Sequence, residues 1–484
     1  MTTLLPAGAP SAPGGTTPRN LPGTGGSTRP YPPGVEQRAR ELAAQLSARD
    51  VRYCQVEVPD LDGSLRSKLV SLDKALTADG VALCSIVFGL TAADDVYESE
   101  VSSYANGFPD LSAHVDPATV RVLPWRPNVA SALCDLRSPA GEDVPLAPRG
   151  VLRAVAERCA GLGYEPRFAV EYEVCVLHAD AELIAAGRHH ELTPLGRTAN
   201  AYSGLRLADV RDLGQEFMDR MSAIEAPLDS FHTELGYGMV EFALAHAPVL
   251  DAADRAARAK AYFKELCAER GLVATFMAKW KPGESGSGAH VHQSLWRGGR
   301  NAFAHSGGLS SLARHYAAGQ LATMPPFTAI FNPTVNSYRR ISVAAWTPEN
   351  ATWGIDNRTA ALRAITAPAA KAARFEHRRC GADANPYLIM AAMLAGGLHG
   401  MQTKAEPPEP SPGNAALDPG PPPLPASLPD AIAALRGSDL ARELLGRQFV
   451  EHFALSRQVE WDLWTRWSDA QVTEWELRRY FEVI

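Results

Sequence analysis

The sequence lacks a dense block of basic residues, a membrane-length apolar run and any Cys-x-x-Cys motif. The net charge of −7 argues against a nucleic-acid partner. No apolar stretch approaches the roughly 20 residues that cross a bilayer, and the N-terminus has no charged segment followed by an apolar one, as a secretory signal would. The seven cysteines are scattered and odd in number, which indicates free thiols in a reducing compartment. We therefore expect a cytoplasmic protein without a membrane or nucleic-acid partner.

The 484 residues are enough for more than one domain. Residues 1–34 are rich in Gly, Pro, Ser and Thr, cannot bury enough apolar surface to order themselves, and are expected to form a disordered tail. Near residue 145 a turn-rich sequence with short strands changes to one with longer elements, which predicts an N-terminal domain over 35–143 and a larger domain over 144–484. Periodicity and turn residues predict helices at 35–48, 206–225 and 250–271, strands at 167–178, 272–281 and 288–296, a hairpin at 229–245 and a Pro-rich loop at 405–425.

The strand RFAVEYEVCVLHAD (167–180) places two glutamates among apolar residues. Because strand side chains alternate between faces, Glu171 and Glu173 point the same way, roughly 7 Å apart, while Val170, Tyr172 and Val174 form the opposite, core-like face. Two carboxylates on an inner face repel each other and lose hydration. A cation between them would offset both costs. The alternative is an edge strand with a polar, hydrated face, and the pattern alone does not decide between the two.

Further acidic and imidazole side chains follow along the chain. In SFHTELGYGMVEFAL the LGYG turn brings Glu234 and Glu241 onto one face of a hairpin, although most such pairs are simply solvated. In GESGSGAHVHQSLW, His290 and His292 share a strand face with Ser294. Two histidines at this spacing suit a metal or a phosphate group, and the alternative is a structural pair.

Cationic residues gather in three later runs, NPTVNSYRRI, DNRTAALRAI and KAARFEHRR. Arginine suits bidentate binding of phosphate or carboxylate. Each run by itself is more often a salt-bridged surface, but together with the acidic and histidine residues they supply enough groups for a divalent-metal site that faces a polyphosphate.

The order of these motifs resembles the glutamine synthetase superfamily from about residue 50 to the C-terminus. The resemblance is carried by VEYE, HTELGYGMVE, ATFMAKWKPGESGSGAHVHQSL, NPTVNSYRR, DNRTAALR and RFEHRRCGADANPYLIMAAMLAGGLHG. It implies an α+β protein with an N-terminal β-grasp domain and a catalytic domain built on an antiparallel sheet with helices. It also implies a homododecamer of two stacked hexameric rings, with active sites between subunits and an ATP-dependent ligation supported by two Mg²⁺ or Mn²⁺ ions.

The resemblance assigns roles by motif position. One metal would be held by Glu173, Glu234 and Glu241, and the other by Glu171, His290 and Glu376. Substrate glutamate would contact Arg340, Arg378 and the stretch at Ser285 and Gly286, although the family commonly has Asn where Ser285 stands. Arg340 and Arg358 would take a catalytic part, and ATP would contact His292, Ser294, Arg358, Arg363, Lys371 and Arg374.

Two positions depart from ammonia-using members of the family. Trp346 stands where those members carry a glutamate that closes the site and helps to deprotonate ammonium, and Ala82 stands where they carry an ammonium-binding aspartate. Both changes remove negative charge, and an indole suits an amine that carries carbon. We therefore expect an ATP-dependent γ-glutamyl-amine ligase similar to the γ-glutamyl-polyamine and γ-glutamyl-ethanolamide branches. The alternatives are an ordinary glutamine synthetase, a specialised biosynthetic ligase and a catalytically silent homologue.

Overall fold

The computed structural model describes residues 35–482 apart from 197, 306–307, 342–345, 367–371 and 419. The expected tail at 1–34 and the expected ATP contact Lys371 lie outside these residues. Within the described part of the chain, no helix combines the length and apolarity that crossing a bilayer requires.

The first sheet is mixed and has the strand order β2-β1-β6-β4-β3, with β5 beside β6. Its first two strands form a hairpin around the Asp-Leu-Asp-Gly turn, and β1 also pairs in parallel with β6. A hairpin with a parallel neighbour is consistent with the expected β-grasp unit. The strands are β1 (Tyr53–Pro59), β2 (Leu65–Ser71), β3 (Val81–Cys84), β4 (Asp110–Val115), β5 (Arg121–Val122) and β6 (Val129–Arg137).

The second sheet is larger and carries the motifs of the sequence analysis. Its order is β16-β17-β18-β12-β7-β9-β8, and all of these neighbours are antiparallel except β16 and β17. The short strands β10 and β11 pair with β7, β13 pairs with β12, and β14 and β15 form a separate pair. The strands are β7 (Glu165–His178), β8 (Leu228–Thr233), β9 (Met239–Leu244), β10 (Ala247–Pro248), β11 (Leu272–Thr275), β12 (Ala289–Arg297), β13 (Arg300–Asn301), β14 (Ala304–His305), β15 (Gly308–Leu309), β16 (Trp353–Ile355), β17 (Leu362–Ile365) and β18 (Arg374–His377).

Helices cover one side of the large sheet and form the C-terminal region. The buried helices α7 and α9 pack closely against each other. A Cβ at Gly319 would lie only 2.1 Å from the carbonyl oxygen of Gly396, so glycine is needed at this crossing. The helices are α1 (Val35–Ser47), α2 (Leu72–Ala75), α3 (Pro148–Gly161), α4 (Ala181–Ala185), α5 (Gly204–Ala223), α6 (Val249–Glu269), α7 (Ser311–Phe331), α8 (Val335–Ile341), α9 (Pro386–Thr403), α10 (Leu428–Arg436), α11 (Asp439–Leu445), α12 (Arg447–Asp469) and α13 (Glu474–Tyr480).

Most predicted elements are confirmed, with one clear difference. The strand expected over 272–281 ends at Thr275. Beyond this residue the backbone leaves β7, and the N–H of Lys279 donates to the Asn336 side chain at 2.8 Å. Residues 276–281 therefore form a loop beside α8 instead of extending the strand.

Strand β7 lies in the interior of the large sheet, between β12 and β9, which excludes the edge-strand interpretation. Val170, Tyr172 and Val174 are fully buried on one face, as the alternation predicts. On the other face, the register places Glu171 opposite His290 and Glu173 opposite Glu241. The two glutamates therefore meet polar groups from two neighbouring strands.

Candidate active site

A cleft of about 1000 Å³ opens over the polar face of the large sheet. Every site residue expected from the sequence lines it, with two exceptions. Ser294 lies outside the lining, where its hydroxyl accepts a hydrogen bond from Trp296 Nε1 at 2.9 Å. Lys371 lies outside the described residues. Motifs more than 200 residues apart along the chain thus meet in one place.

The first cluster in the cleft surrounds Glu171. His292 Nε2 lies 2.7 Å from Glu171 Oε1, and His292 Nδ1 accepts a hydrogen bond from Arg374 Nε at 3.0 Å. Since Nδ1 is an acceptor, the imidazole proton is on Nε2 and is donated to Glu171. Burial raises the pKa of the Glu171 carboxyl, but interactions with His290 and His292 outweigh it and hold this pKa below its usual range. Glu171 is therefore ionised.

His290 occupies a different position from His292. Its Nδ1 is 3.8 Å from both Glu171 Oε2 and Glu376 Oε1, and its Nε2 is 4.0 Å from Glu173 Oε1. These separations are too long for hydrogen bonds and leave the ring between three carboxylates. His290 thus faces the acidic groups without being bound to any of them.

Glu376, on β18, is almost completely buried. It accepts hydrogen bonds from Arg363 Nη1 at 3.0 Å and from Arg378 Nη1. Burial raises its pKa, but electrostatic interactions with His290, Arg378 and His292 lower it to about 2. The carboxylate is therefore charged at neutral pH although it is out of contact with solvent.

The second cluster contains three glutamates from β7 and the β8–β9 hairpin. Glu173 Oε2 accepts a hydrogen bond from the Gly288 N–H at 2.6 Å, and Glu241 Oε1 lies 3.2 Å from His232 Nε2. Burial and the negative charges of Glu241 and Glu173 raise the pKa of Glu234. The three carboxylates thus repel one another in the absence of a cation.

The donor chemistry of both clusters fits Mg²⁺ or Mn²⁺. Carboxylate oxygens and imidazole nitrogens approach within 4.8 Å of one another in three sets, which are Glu171/His292/Glu376, Glu171/Glu241/His290 and His232/Glu234/Glu241. Hard oxygen ligands with an occasional imidazole suit these ions. A cation near Glu234 would also relieve the repulsion that raises its pKa. Five of the six residues expected to hold metals occur in these sets, but the groupings differ from the two expected trios: Glu173 is in none of them, and His232 and His292 are included.

Arg340, on α8, is buried beside the glycine-rich stretch. A Cβ at Gly286 would lie 2.6 Å from its Cγ and a Cβ at Gly288 2.6 Å from its Nη2, so both glycines make room for this side chain. Burial lowers the pKa of the guanidinium. Across the residues that the structure describes, its Nη1 has no hydrogen-bond partner. A buried donor of this kind suits an anionic ligand in the cleft.

Two further arginines shape the same wall. Arg378 Nε donates to the Arg358 carbonyl oxygen at 2.9 Å, which ties β18 to the loop before β17. Arg363 is held by Glu376 and lies 3.5 Å from Asp356. Together with Arg374, which contacts His292, these residues form a cationic wall in direct contact with the first cluster.

One of the positions that depart from ammonia-using members of the family, Trp346, also lines the cleft. The Trp346 side chain is 57% exposed and stands beside the buried Thr347. Ala82 is exposed on β3 and is not part of this cleft.

The sequence analysis missed several lining residues, among them Tyr202, His232 and Lys279. His232, near the end of β8, lies two residues before Glu234, so the period-2 pattern could have revealed it. The Tyr202 ring contacts the His232 ring in a tilted arrangement with centroids 4.7 Å apart, and its backbone is left-handed with φ 54°. No sequence pattern points to Tyr202 or Lys279, because both reach the cleft from loops.

Comparisons with known proteins show which family the chain resembles. The family model "Glutamine synthetase, catalytic domain" matches residues 145–480. A glutamate–isopropylamine ligase of Pseudomonas sp. is 37% identical over 435 residues, covering 88% of this chain and 94% of the relative. A gamma-glutamylethanolamide synthetase of Streptomyces coelicolor is 36% identical over 460 residues, covering 94% and 97%. A solved structure described as a GmaS/ADP complex is 29% identical with a TM-score of 0.79, covering 91% of this chain and 99% of that one.

The fold and the cleft, with its paired acidic clusters and cationic wall, define an ATP-dependent carbon–nitrogen ligase. The chain belongs to the glutamine synthetase family.

Proposed function

We propose that this enzyme joins the γ-carboxyl group of glutamate to an organic amine. The observation that carries the proposal is Trp346 in the lining of the cleft, at the position where an ammonia-using enzyme would have a carboxylate. An indole offers packing surface for the carbon of an organic amine, which ammonium lacks, and it does not supply the carboxylate that attracts ammonium in an ammonia-using enzyme. The printed names of the two curated relatives, an isopropylamine ligase and an ethanolamide synthetase, support an amine acceptor.

The proposed reaction begins with glutamate and ATP. A carboxylate resists attack by amines because oxide is a very poor leaving group. In the first step an oxygen of the γ-carboxylate attacks the γ-phosphorus of ATP, ADP leaves, and a γ-glutamyl phosphate forms. Arg340, with its unpartnered Nη1, would hold a substrate carboxylate, and the cleft-lining Arg358, Arg363 and Arg374 would contact the phosphates.

Two divalent ions would be held in the cleft. We propose Glu173, Glu234 and Glu241 for one, and Glu171, His290 and Glu376 for the other. His292 is proposed for the nucleotide side since both of its ring nitrogens already take part in hydrogen bonds. Bound Mg²⁺ or Mn²⁺ would supply positive charge that stabilises the transferring phosphoryl group.

In the second step the neutral amine attacks the γ-carbonyl carbon, the carbon–oxygen bond to phosphate breaks, and the proton lost by the nitrogen is taken up by the released phosphate. The product is a γ-glutamyl amide. An amine with a carbon chain gains about 0.8 kcal/mol for each buried methylene, an advantage that ammonium lacks. The Trp346 ring is where that carbon would pack. As a further proposal from family membership, the enzyme would assemble as two stacked hexameric rings, with residues 35–143 covering a neighbour's cleft.

The test is a panel of nitrogen donors, each supplied with ATP and glutamate. Ammonium is compared with a branched alkyl amine, an amino alcohol, a diamine and an aromatic amine, and amide products are identified by mass spectrometry. We expect at least one primary organic amine to give a kcat/KM about tenfold or more above ammonium, a gap of roughly 1.4 kcal/mol. If ammonium is the best donor, the enzyme is an ordinary glutamine synthetase and the proposal is wrong.

A further inference from the structure

Arg379 is the largest fully buried side chain in the described residues, and it lies directly behind the active-site wall. Its neighbour Arg378 faces the cleft, whereas Arg379 faces away from it into the protein. Burying a guanidinium is costly unless its charge is paired. Yet over the described parts of the chain no carboxylate oxygen lies within 4 Å of the Arg379 nitrogens.

The partners of Arg379 are two main-chain carbonyl groups. Nη1 donates to the Pro348 carbonyl oxygen, and Nη2 donates to the Pro425 carbonyl oxygen at 3.1 Å. Its own carbonyl oxygen accepts from Asn332 Nδ2 at 3.3 Å, which anchors the residue to the end of α7. Burial lowers the pKa of this guanidinium to about 10, so it remains charged at neutral pH. One planar cation thus joins two loops.

The two loops also pair directly. The Leu424 N–H donates to the Glu349 carbonyl oxygen at 2.9 Å, and the Ala351 N–H donates to the Pro422 carbonyl oxygen at 3.2 Å. The loop at 346–351 is the one that carries Trp346 and Thr347 into the cleft. The Pro-rich segment 405–425 is further attached to β16, where the Ser411 N–H donates to the Trp353 carbonyl oxygen at 2.8 Å.

We propose that Arg379 is a positioning residue for the amine end of the active site, acting through Pro348 to hold the loop that presents Trp346. The guanidinium fork fixes two carbonyl oxygens at once, which lysine cannot reproduce with the same geometry. The Pro-rich segment has a limited number of backbone conformations, so it is a firm second anchor for the fork. The surface segment 405–425 therefore contributes to acceptor selection without touching the substrate. This inference rests on the proposed function, because it names the residues that hold the amine pocket in place.

The test is steady-state kinetics on Arg379→Met and Arg379→Lys, with KM measured separately for amine, glutamate and ATP. We expect Arg379→Met to raise the KM for the preferred amine about tenfold while the other two KM values stay within about twofold. Arg379→Lys, which keeps the charge and reaches one carbonyl, should give a smaller rise. A proportional rise in all three KM values, a fall in kcat alone, or no change would overturn the inference. If Arg379→Met does not fold, the lysine variant decides by the same criteria.

Arg457→Lys is the matched control. Arg457 is also a buried arginine that donates to a prolyl carbonyl, that of Pro333 at 3.1 Å, but its ion pair is with Asp62 of the first sheet's hairpin turn. The variant Arg457→Lys should not raise the KM for the amine relative to the KM values for glutamate and ATP. An equal shift in this control would overturn the inference. The wild-type amine panel decides the proposed function separately: if ammonium is the best donor, the ratio of variant to wild-type KM for ammonium still tests Arg379.

Discussion

His292 Nε2 lies 2.7 Å from Glu171 Oε1, while the neighbouring His290 keeps both of its ring nitrogens at 3.8 Å or more from the surrounding carboxylates. The two histidines, two residues apart on β12, are therefore not equivalent. One is used in a hydrogen-bond chain to Arg374, and the other stands open between three acidic groups.

This difference predicts distinct effects on metal binding. His290→Ala should weaken Mn²⁺ binding by roughly tenfold or more, because it removes a proposed ligand, whereas His292→Ala should change it less. The measurement is Mn²⁺ titration by calorimetry, with the Mn²⁺-induced rise in Tm as a second readout. Equal effects of the two variants would contradict the assignment.

Glu173 is proposed as a ligand of the other ion, and it also accepts a hydrogen bond from Gly288. Glu173→Ala should reduce phosphate release by about 100-fold or more, because an ion that neutralises phosphoryl charge would be lost. Glu165→Ala is the control, since Glu165 is an exposed residue of the same strand. Near-normal activity of Glu173→Ala would remove this residue from the site.

Arg340 should bind a carboxylate of glutamate. Arg340→Ala is expected to raise the KM for glutamate roughly 10- to 150-fold, corresponding to about 1.5–3 kcal/mol for a charge-assisted hydrogen bond, with a smaller effect on ATP. The adjacent, exposed Arg339 provides the control Arg339→Ala. An unchanged KM for glutamate in Arg340→Ala would contradict the role.

Trp346→Glu should improve the use of ammonium relative to organic amines. A carboxylate at this position would attract ammonium and accept its proton, while the packing surface for carbon would be lost. We expect the ratio of kcat/KM between the best amine and ammonium to fall at least about threefold. Trp346→Phe, which keeps an aromatic ring, should hold the ratio near its wild-type value. The proposal for Trp346 fails if both variants change the ratio alike.

His452, on α12, packs its ring against Phe88 and Tyr97 and is buried, and this burial lowers its pKa to about 4. In the unfolded chain the pKa is near 6.5, so the unfolded state binds a proton first as pH falls. The contribution of His452 to the free energy of unfolding is therefore fully present above about pH 6.5. It falls by about 2 kcal/mol as the pH is lowered from there to pH 5. Between pH 7.5 and pH 5.0, the Tm of His452→Phe should therefore fall less than the Tm of the wild type. Equal losses, measured by calorimetry, would show that His452 does not titrate in this way.

Much of the site could be predicted because strand geometry is local. The alternation in VEYEV determines that Glu171 and Glu173 share a face, whatever the rest of the chain does. The same rule places His290 and His292 together, and the long, collinear motifs assign most of the cleft-lining residues.

Only the tertiary structure decided how these faces meet. The register of β12 against β7 sets His290 opposite Glu171, and side-chain packing then separates the roles of the two histidines. Tyr202 and Lys279 enter the cleft from loops whose paths no local pattern specifies. Arg379 connects Pro348 to Pro425 across 77 residues of chain, and its sequence neighbours resemble an ordinary cationic run. Such contacts depend on the positions of distant segments in the folded protein, because a hydrogen bond is determined by distance and angle in space and not by separation along the chain.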